Sequence, residues 1–128
     1  MNTLVGHVSR VNAIAFDRDY IVSGGKDSVV CLWDIRTEKA VTCAGNAQAV
    51  KSVAFDDQRV NKKSAGKNNM CKIVSGNSEG IYVWDRRNTN QCMLKIEQMG
   101  NALEMLKIDE HKIVSCYADG TFRVYDFL

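Results

Sequence analysis

The sequence predicts an all-β protein made of three similar units that follow one another along the chain. The segment IVSG occurs twice and IVSC once, and each copy is followed by an aromatic residue and an aspartate, as LWD, VWD and VYD. These two sets lie at 21–24, 73–76 and 113–116, and at 32–34, 83–85 and 124–126. Self-similarity along a chain is typical of a repeated structural unit. No segment has the apolar period of a long helix, so the pattern favours strands.

Each unit is predicted to contain short strands separated by polar turns. A first strand alternates apolar and polar residues, a second carries IVSG or IVSC, and a third ends at the aspartate. These strands are expected at 11–16, 20–24 and 28–34, at 50–55, 72–76 and 80–85, and at 103–108, 112–116 and 121–126. Fourth strands are expected at 39–43 and 91–96. Residues 2–5 resemble the tail of one more strand, which would complete the last unit and bring the total to twelve.

The bulk composition indicates one globular domain without a membrane segment. The chain has 128 residues, 45% hydrophobic and 25% charged, with a net charge of +2. Its five cysteines are odd in number and none has CxxC spacing, which favours free thiols in a reducing compartment over a disulfide framework. We therefore expect an intracellular protein, cytoplasmic or nuclear. With only two histidines, neither a metal site nor another cofactor is expected.

The first unit has a short sequence motif at each end, and together these motifs resemble those of a known family. Gly6-His7 stands near its start and Trp33-Asp34 at its end. A unit of about 40 residues with these dipeptides resembles the WD-repeat family, whose four-stranded blades form β-propellers. The resemblance implies three four-stranded antiparallel WD-repeat blades in an incomplete, open propeller spanning 1–128. The repeats would lie at about 6–34, 45–85 and 98–126.

The resemblance also implies a buried hydrogen-bonded set in the first repeat, formed by His7, Ser23, Asp27 and Trp33. The imidazole would lie between the carboxylate and the hydroxyl, with the indole N–H donating to the same hydroxyl. Serine, histidine and aspartate also make a hydrolase triad. We favour the structural interpretation, because no nucleophile elbow or oxyanion hole accompanies the serine. A non-enzymatic protein is expected.

The other two repeats carry degenerate versions of this set. The second has an asparagine in place of the histidine, and the third has a methionine there and a tyrosine in place of the tryptophan. The corresponding residues are Asn46, Ser75, Glu79 and Trp84 in the second repeat, and Met99, Ser115, Asp119 and Tyr125 in the third. Only the first repeat can therefore build the complete set.

Three repeats are fewer than the four to eight blades of a closed propeller. The preferred explanation is that the chain is a fragment of a longer propeller, whose remaining blades would complete the ring. Two alternatives remain open: a homodimer forming a six-bladed ring, or completion by another protein.

The resemblance implies a protein-interaction scaffold whose partners are proteins or peptides. The candidate contact residues lie in loops predicted to be exposed: Arg10, Lys26, Lys51 and Asn77. A further pattern is WDxR, which ends at Arg36 and again at Arg87. Paired WDxR repeats resemble those of substrate receptors in cullin–RING or F-box ubiquitin ligases, which is the alternative function. The simpler interpretation is that these arginines cap turns on a solvated edge.

The second repeat contains a basic insertion at 57–70, and the lysines and arginine of 59–72 suggest a further alternative, contact with nucleic acid. It lacks the interleaved aromatic residues of a nucleic-acid platform, so a solvated surface loop is favoured and nucleic acid is an unlikely partner.

Overall fold

Eleven strands form three antiparallel sheets in the described part of the chain, which contains no helix. The computed structural model describes residues 3–17, 19–43, 48–55, 72–86, 88–97, 102–109 and 112–126. Blade 1 contains β1 (Val11–Phe16), β2 (Tyr20–Gly25), β3 (Val30–Asp34) and β4 (Lys39–Cys43). Blade 2 contains β5 (Ser52–Phe55), β6 (Lys72–Gly76), β7 (Gly80–Asp85) and β8 (Leu94–Glu97). Blade 3 contains β9 (Leu103–Ile108), β10 (Lys112–Tyr117) and β11 (Phe122–Asp126).

The strands of every blade follow one another in space in the order of the chain. The register is also shared: Ser23 pairs with Cys31, Ser75 with Tyr82 and Ser115 with Arg123. The predicted repeat equivalences therefore describe equivalent places in three sheets, and a residue of one blade can be compared directly with its counterparts.

Four strands, β3, β5, β8 and β11, begin later than predicted, and in two of them the first residues are used elsewhere. The backbone N–H of Val50 donates to the carbonyl of Gly25 in blade 1 at 3.0 Å, so β5 begins only at Ser52. Ser28 adopts a φ of 67°, a left-handed turn conformation that interrupts the extended backbone, and β3 begins at Val30.

The prediction of three four-stranded blades is not confirmed for blade 3, which has three strands among the described residues. Residues 3–5, expected to be part of a twelfth strand, are not in a strand. A strand exists only where a neighbour accepts and donates its backbone hydrogen bonds. In the described residues, β11 pairs with β10 alone and leaves its other edge without a strand partner.

Apolar side chains fill the two spaces between successive blades. The core between blades 1 and 2 includes Val22, Leu32, Val53 and Trp84, and a second core lies between blades 2 and 3. The central strands β3 and β7 are buried over nearly their whole length, which explains their unbroken apolar sequence.

The two outer faces of the stack are apolar and exposed. Ile14 and Phe16 are 62% and 74% exposed on blade 1, whereas Met105 and Phe122 are 52% and 69% exposed on blade 3. The predicted basic insertion at 57–70 lies outside the described residues.

Candidate functional site

Blade 1 contains a continuous hydrogen-bonded chain of four side chains. The His7 Nδ1 atom lies 3.1 Å from Asp27 Oδ2, and His7 Nε2 lies 2.7 Å from Ser23 Oγ. The indole Nε1 of Trp33 donates to the same Ser23 Oγ at 2.8 Å. The structure thus brings together the four residues that the family resemblance named.

The chemistry of the groups sets the direction of these hydrogen bonds. A carboxylate only accepts, so the proton between His7 and Asp27 belongs to Nδ1, and neutral imidazole then accepts at Nε2. Ser23 donates its hydroxyl proton to that nitrogen and accepts the indole proton of Trp33. Every donor therefore meets an acceptor, which is the condition under which a buried polar network stabilises a fold.

Asp27 is held ionised by several donors at once. Burial by itself would raise the pKa of this carboxyl, but the backbone N–H of Val8, the His7 side chain and the backbone N–H of Val29 outweigh that effect and lower the pKa below its ordinary value. The distances from Val8 and Val29 to the carboxylate oxygens are 3.1 and 3.2 Å. The carboxylate joins residues 7–8 to the turn before β3.

The buried position of Ser23 indicates a structural role for this set. Ser23 is 4% exposed, and its oxygen is occupied by an imidazole on one side and an indole on the other. A serine nucleophile needs an open approach to its oxygen and donors for an oxyanion. The arrangement instead links residue 7 to β2 and β3.

Blade 2 does not reproduce this chain among the described residues. Ser75 is fully buried, and its Oγ has no hydrogen-bond partner there. Glu79, the expected counterpart of Asp27, is exposed, and its Oε1 accepts from Gln48 Nε2 at 2.6 Å. Trp84 is fully buried and stacks on Tyr82. Asn46, the counterpart of His7, lies outside the described residues.

In blade 3 the equivalent serine has a different hydrogen-bond partner. Ser115 Oγ donates to the hydroxyl of Tyr117 at 3.0 Å, and burial is the largest cause that raises the pKa of that tyrosine. Asp119, the expected counterpart of Asp27, is exposed and accepts from Thr121 N and Oγ1. Tyr125, the counterpart of Trp33, pairs in register with Ile113 as Trp33 pairs with Ile21. Met99 lies outside the described residues.

At one end of the blades, Arg10, Lys26 and Lys51 form an exposed group, which we call the cationic rim. The N–H of Lys26 donates to the carbonyl of Arg10 at 2.8 Å. Asn12 Nδ2 donates to the carbonyl of Val50 at 3.0 Å, which brings Lys51 beside them. Among the residues that the structure describes, none of the three cations forms an ion pair.

The fourth predicted contact residue, Asn77, is not on the surface, and its assignment as exposed is wrong. Asn77 is 1% exposed, and its Oδ1 accepts from the N–H groups of Glu79 and Gly80 at 2.8 and 3.0 Å. An asparagine at this place in a turn uses its side-chain oxygen to accept hydrogen bonds from the backbone N–H groups that follow it. Gln48, which the sequence analysis missed, is instead the polar residue that bridges Ser78 and Glu79.

Arg36 lies at the opposite end of blade 1 among its own acidic neighbours. Its Nε is 3.6 Å from Asp34 and 4.0 Å from Asp19, and these carboxylates, Asp34 first, raise the pKa of the guanidinium. Its Nη2 donates to Tyr20 Oη at 3.4 Å. Because Arg36 is engaged within the chain, its geometry gives no support to the ubiquitin-ligase hypothesis. Arg87, its predicted counterpart, lies outside the described residues.

The described residues contain no group of histidine, cysteine and acidic side chains that could hold a metal ion. The cysteines described, Cys31, Cys43, Cys92 and Cys116, are all free thiols. In the same ranges, no helix has the length and hydrophobicity needed to cross a bilayer.

Comparisons with known proteins agree with this architecture. Residues 1–34 match the family described as WD domain, G-beta repeat. A solved structure of U3-55K, a WD-repeat protein, superposes with a TM-score of 0.77 at 21% sequence identity, and the match covers 96% of this chain. It covers 36% of the U3-55K chain, so this chain spans little more than a third of that relative.

The start of the chain therefore resembles a WD repeat in sequence, and the described blades have the fold of a WD-repeat protein. The sequence match rests on residues 1–34, which include the hydrogen-bonded chain from His7 to Trp33, and the structural likeness shows that the described blades share the fold of U3-55K.

Proposed function

We propose that this protein is a non-enzymatic interaction scaffold that binds an acidic protein segment on the cationic rim. The observation that carries the proposal is a group of three exposed cations, Arg10, Lys26 and Lys51, which form no ion pair with any described residue. Hydrogen bonds to backbone carbonyls hold their loops together across two blades. A rigid base reduces the entropy lost when a partner binds, because the receptor side is already ordered.

The carboxylate nearest the rim in sequence does not neutralise it. Asp27 follows Lys26, but its carboxylate is 6% exposed and faces His7, Val8 and Val29. Basic side chains without internal partners attract acidic groups and increase the association rate with them. The opposite end of blade 1 differs, since Arg36 there is paired with Asp34 and Asp19.

A charge-reversal experiment tests the proposal. Binding of a fluorescently labelled oligo-glutamate peptide to the purified chain is measured by anisotropy at low and physiological salt. We expect binding that weakens with salt, since exposed charges are screened. The K26E/K51E variant should bind about tenfold more weakly or not at all, because two attractions become repulsions.

A matched control distinguishes the effect of the rim residues on binding from the effect of the net charge of the chain. The K39E/K107E variant changes the net charge equally at two exposed lysines of other strands, β4 and β9, and should retain binding. Equal loss in both variants would show an effect of overall charge and would contradict a localised site. No binding by the wild-type chain at low salt would overturn the proposal for acidic partners.

Intracellular location remains a prediction that rests on the free thiols. Contact of nucleic acid with the insertion also remains untested, since within 59–72 only Lys72 is described.

A further inference from the structure

The cationic rim lies at the end of the stack where the turns between the second and third strands of the blades meet the starts of the first strands. In blade 1 the backbone N–H of Lys26 donates to the carbonyl of Arg10 at 2.8 Å, and in blade 3 the N–H of Ala118 donates to the carbonyl of Ala102 at 2.9 Å. These two hydrogen bonds occupy equivalent places in the shared register. Blade 3 therefore has two alanines where blade 1 has two cations.

The carboxylate that is buried in blade 1 has exposed counterparts at the same end of blades 2 and 3. Asp27 is enclosed, with a side chain only 6% exposed, whereas Glu79 and Asp119 are exposed. Glu79 accepts from the amide of Gln48, and Asp119 accepts from Thr121. Because both donors are neutral, these hydrogen bonds leave the two negative charges in place.

Blade 3 has a second exposed acid at this end, Glu104, near the start of β9. By the shared register it is the counterpart of Lys51 in the rim, so the charge at this place is reversed between blades 2 and 3. Among the residues that the structure describes, neither Glu104 nor Asp119 forms an ion pair. Arg123, the base nearest to Asp119 in the sequence, has its guanidinium carbon 5.3 Å from the centre of the Tyr117 ring. This end of the stack is therefore cationic over blade 1 and anionic over blade 3.

We propose that this end of the stack is a dipolar surface that binds one partner segment, with an acidic block over blade 1 and a basic block over blade 3. The acidic half rests on the function proposed above, whereas the basic half rests on Glu104 and Asp119. Packed sheets lie about 10 Å apart, so blades 1 and 3 are separated by roughly 20 Å, the length of about six extended residues. The reverse direction would place like charges together, so the surface binds the segment in a single orientation.

Two peptides of identical composition test the separation of charge along this surface. The two-block peptide has four glutamates, then six glycine and serine residues, then four lysines. In the comparison peptide, glutamate and lysine alternate on both sides of the same spacer, so both peptides have no net charge. Fluorescence anisotropy at low salt measures their binding to the full 128-residue chain. We expect the two-block peptide to bind about three- to tenfold more tightly, since each exposed ion pair contributes modestly.

Removing the two carboxylate charges of blade 3 should abolish the preference for the two-block peptide. The Glu104→Gln/Asp119→Asn variant keeps the size of both side chains, and asparagine at 119 retains an oxygen that can accept from Thr121. It should bind oligo-glutamate at least as well as the wild type does. The matched control, Glu38→Gln/Asp126→Asn, removes two exposed carboxylate charges at the other end of the blades and should keep the preference.

The outcomes distinguish failure of this inference from failure of the proposed function. If the wild type binds oligo-glutamate but does not prefer the two-block peptide, the dipolar surface alone is overturned, whereas no binding of oligo-glutamate overturns both proposals. A preference that the Glu104→Gln/Asp119→Asn variant retains, or that the control variant loses equally, also overturns the dipolar surface. Sedimentation velocity that shows a wild-type dimer, lost in the Glu104→Gln/Asp119→Asn variant, would assign this surface to a second copy of the chain and overturn the partner segment.

Discussion

The guanidinium carbon of Arg86 in blade 2 lies 4.6 Å from the centre of the Tyr20 ring in blade 1. The guanidinium of Arg36 lies 5.9 Å from the same ring. A cation over an aromatic face is attracted by the negative charge of the π system. The second repeat therefore contributes a contact to the first through Arg86, the residue that directly follows its Trp84-Asp85 pair and that the sequence did not mark as a contact residue.

Removing the Arg86 guanidinium should loosen the interface between blades 1 and 2. We expect Arg86→Ala to lower the free energy of unfolding by about 0.5–1 kcal/mol, the usual size of such a contact at a partly exposed site. Urea denaturation of Arg86→Ala, Tyr20→Leu and the double variant measures the coupling. Arg10→Ala, which removes an exposed arginine of the rim, should have little effect. Strictly additive effects of the two single changes would refute the contact.

Truncation of His7 should lower the free energy of unfolding more than Arg86→Ala does, because Asp27 and Ser23 each lose a hydrogen bond to the imidazole. We expect His7→Ala to lower the free energy of unfolding by about 1–3 kcal/mol, because the buried Ser23 hydroxyl loses its acceptor. Asp27 loses its imidazole donor but keeps the backbone N–H groups of Val8 and Val29. Guanidinium denaturation followed by tryptophan fluorescence measures this loss.

The neighbouring Lys26→Ala serves as the control for that experiment, since Lys26 is exposed. If His7 acts through Ser23, then Trp33→Phe combined with His7→Ala should cost less than the sum of the two single changes. A His7→Ala variant as stable as the wild type would show that the hydrogen-bonded chain contributes nothing to folding.

The Asp27 carboxyl should make stability depend on acidic pH. Its pKa is lowered in the folded state, so the folded protein binds this proton less readily than the unfolded chain does. The stability it contributes is therefore complete above the unfolded pKa of about 4 and is lost as the pH falls through the lower folded pKa.

Comparison with Asp27→Asn isolates this contribution from that of other carboxyls. Urea midpoints at neutral pH should be clearly higher for the wild type, and the difference should shrink toward acid. A difference that stays constant or grows as the pH falls would contradict the assignment.

The described cysteines should differ strongly in reactivity. Burial is the main cause that raises the pKa of Cys43 to about 12, whereas Cys116 is exposed. At pH 8 only roughly one Cys43 thiol in ten thousand is then ionised, and the thiolate is the nucleophile. N-ethylmaleimide labelling followed by mass spectrometry should modify Cys116 first and Cys43 last. Early labelling of Cys43 under native conditions would show that the core between blades 1 and 2 opens readily.

Local sequence patterns predicted most of the strands, because the start and end of a strand are indicated by residues that are close together in the chain. β1, β4, β6, β7 and β9 have the predicted bounds, since apolar alternation and turn residues define them within a few positions. Sequence equivalence was less informative for polar residues. Asp119 and Glu79 occupy the expected turns, but Asp119 binds Thr121 and Glu79 binds Gln48, because a carboxylate takes the nearest donor that the loop supplies.

The sequence by itself determined the repeated all-β architecture, because periodicity and composition record which residues a sheet can bury. The four side chains of the buried set were named by the resemblance to the WD-repeat family, which rests on dipeptides at the ends of the first unit. Only the tertiary structure showed that Asn77 is buried, that blade 3 has three strands in the described ranges, and that Arg86 reaches Tyr20. These features depend on which side chains meet across sheets, and residues far apart in the chain acquire that relationship only when the blades stack.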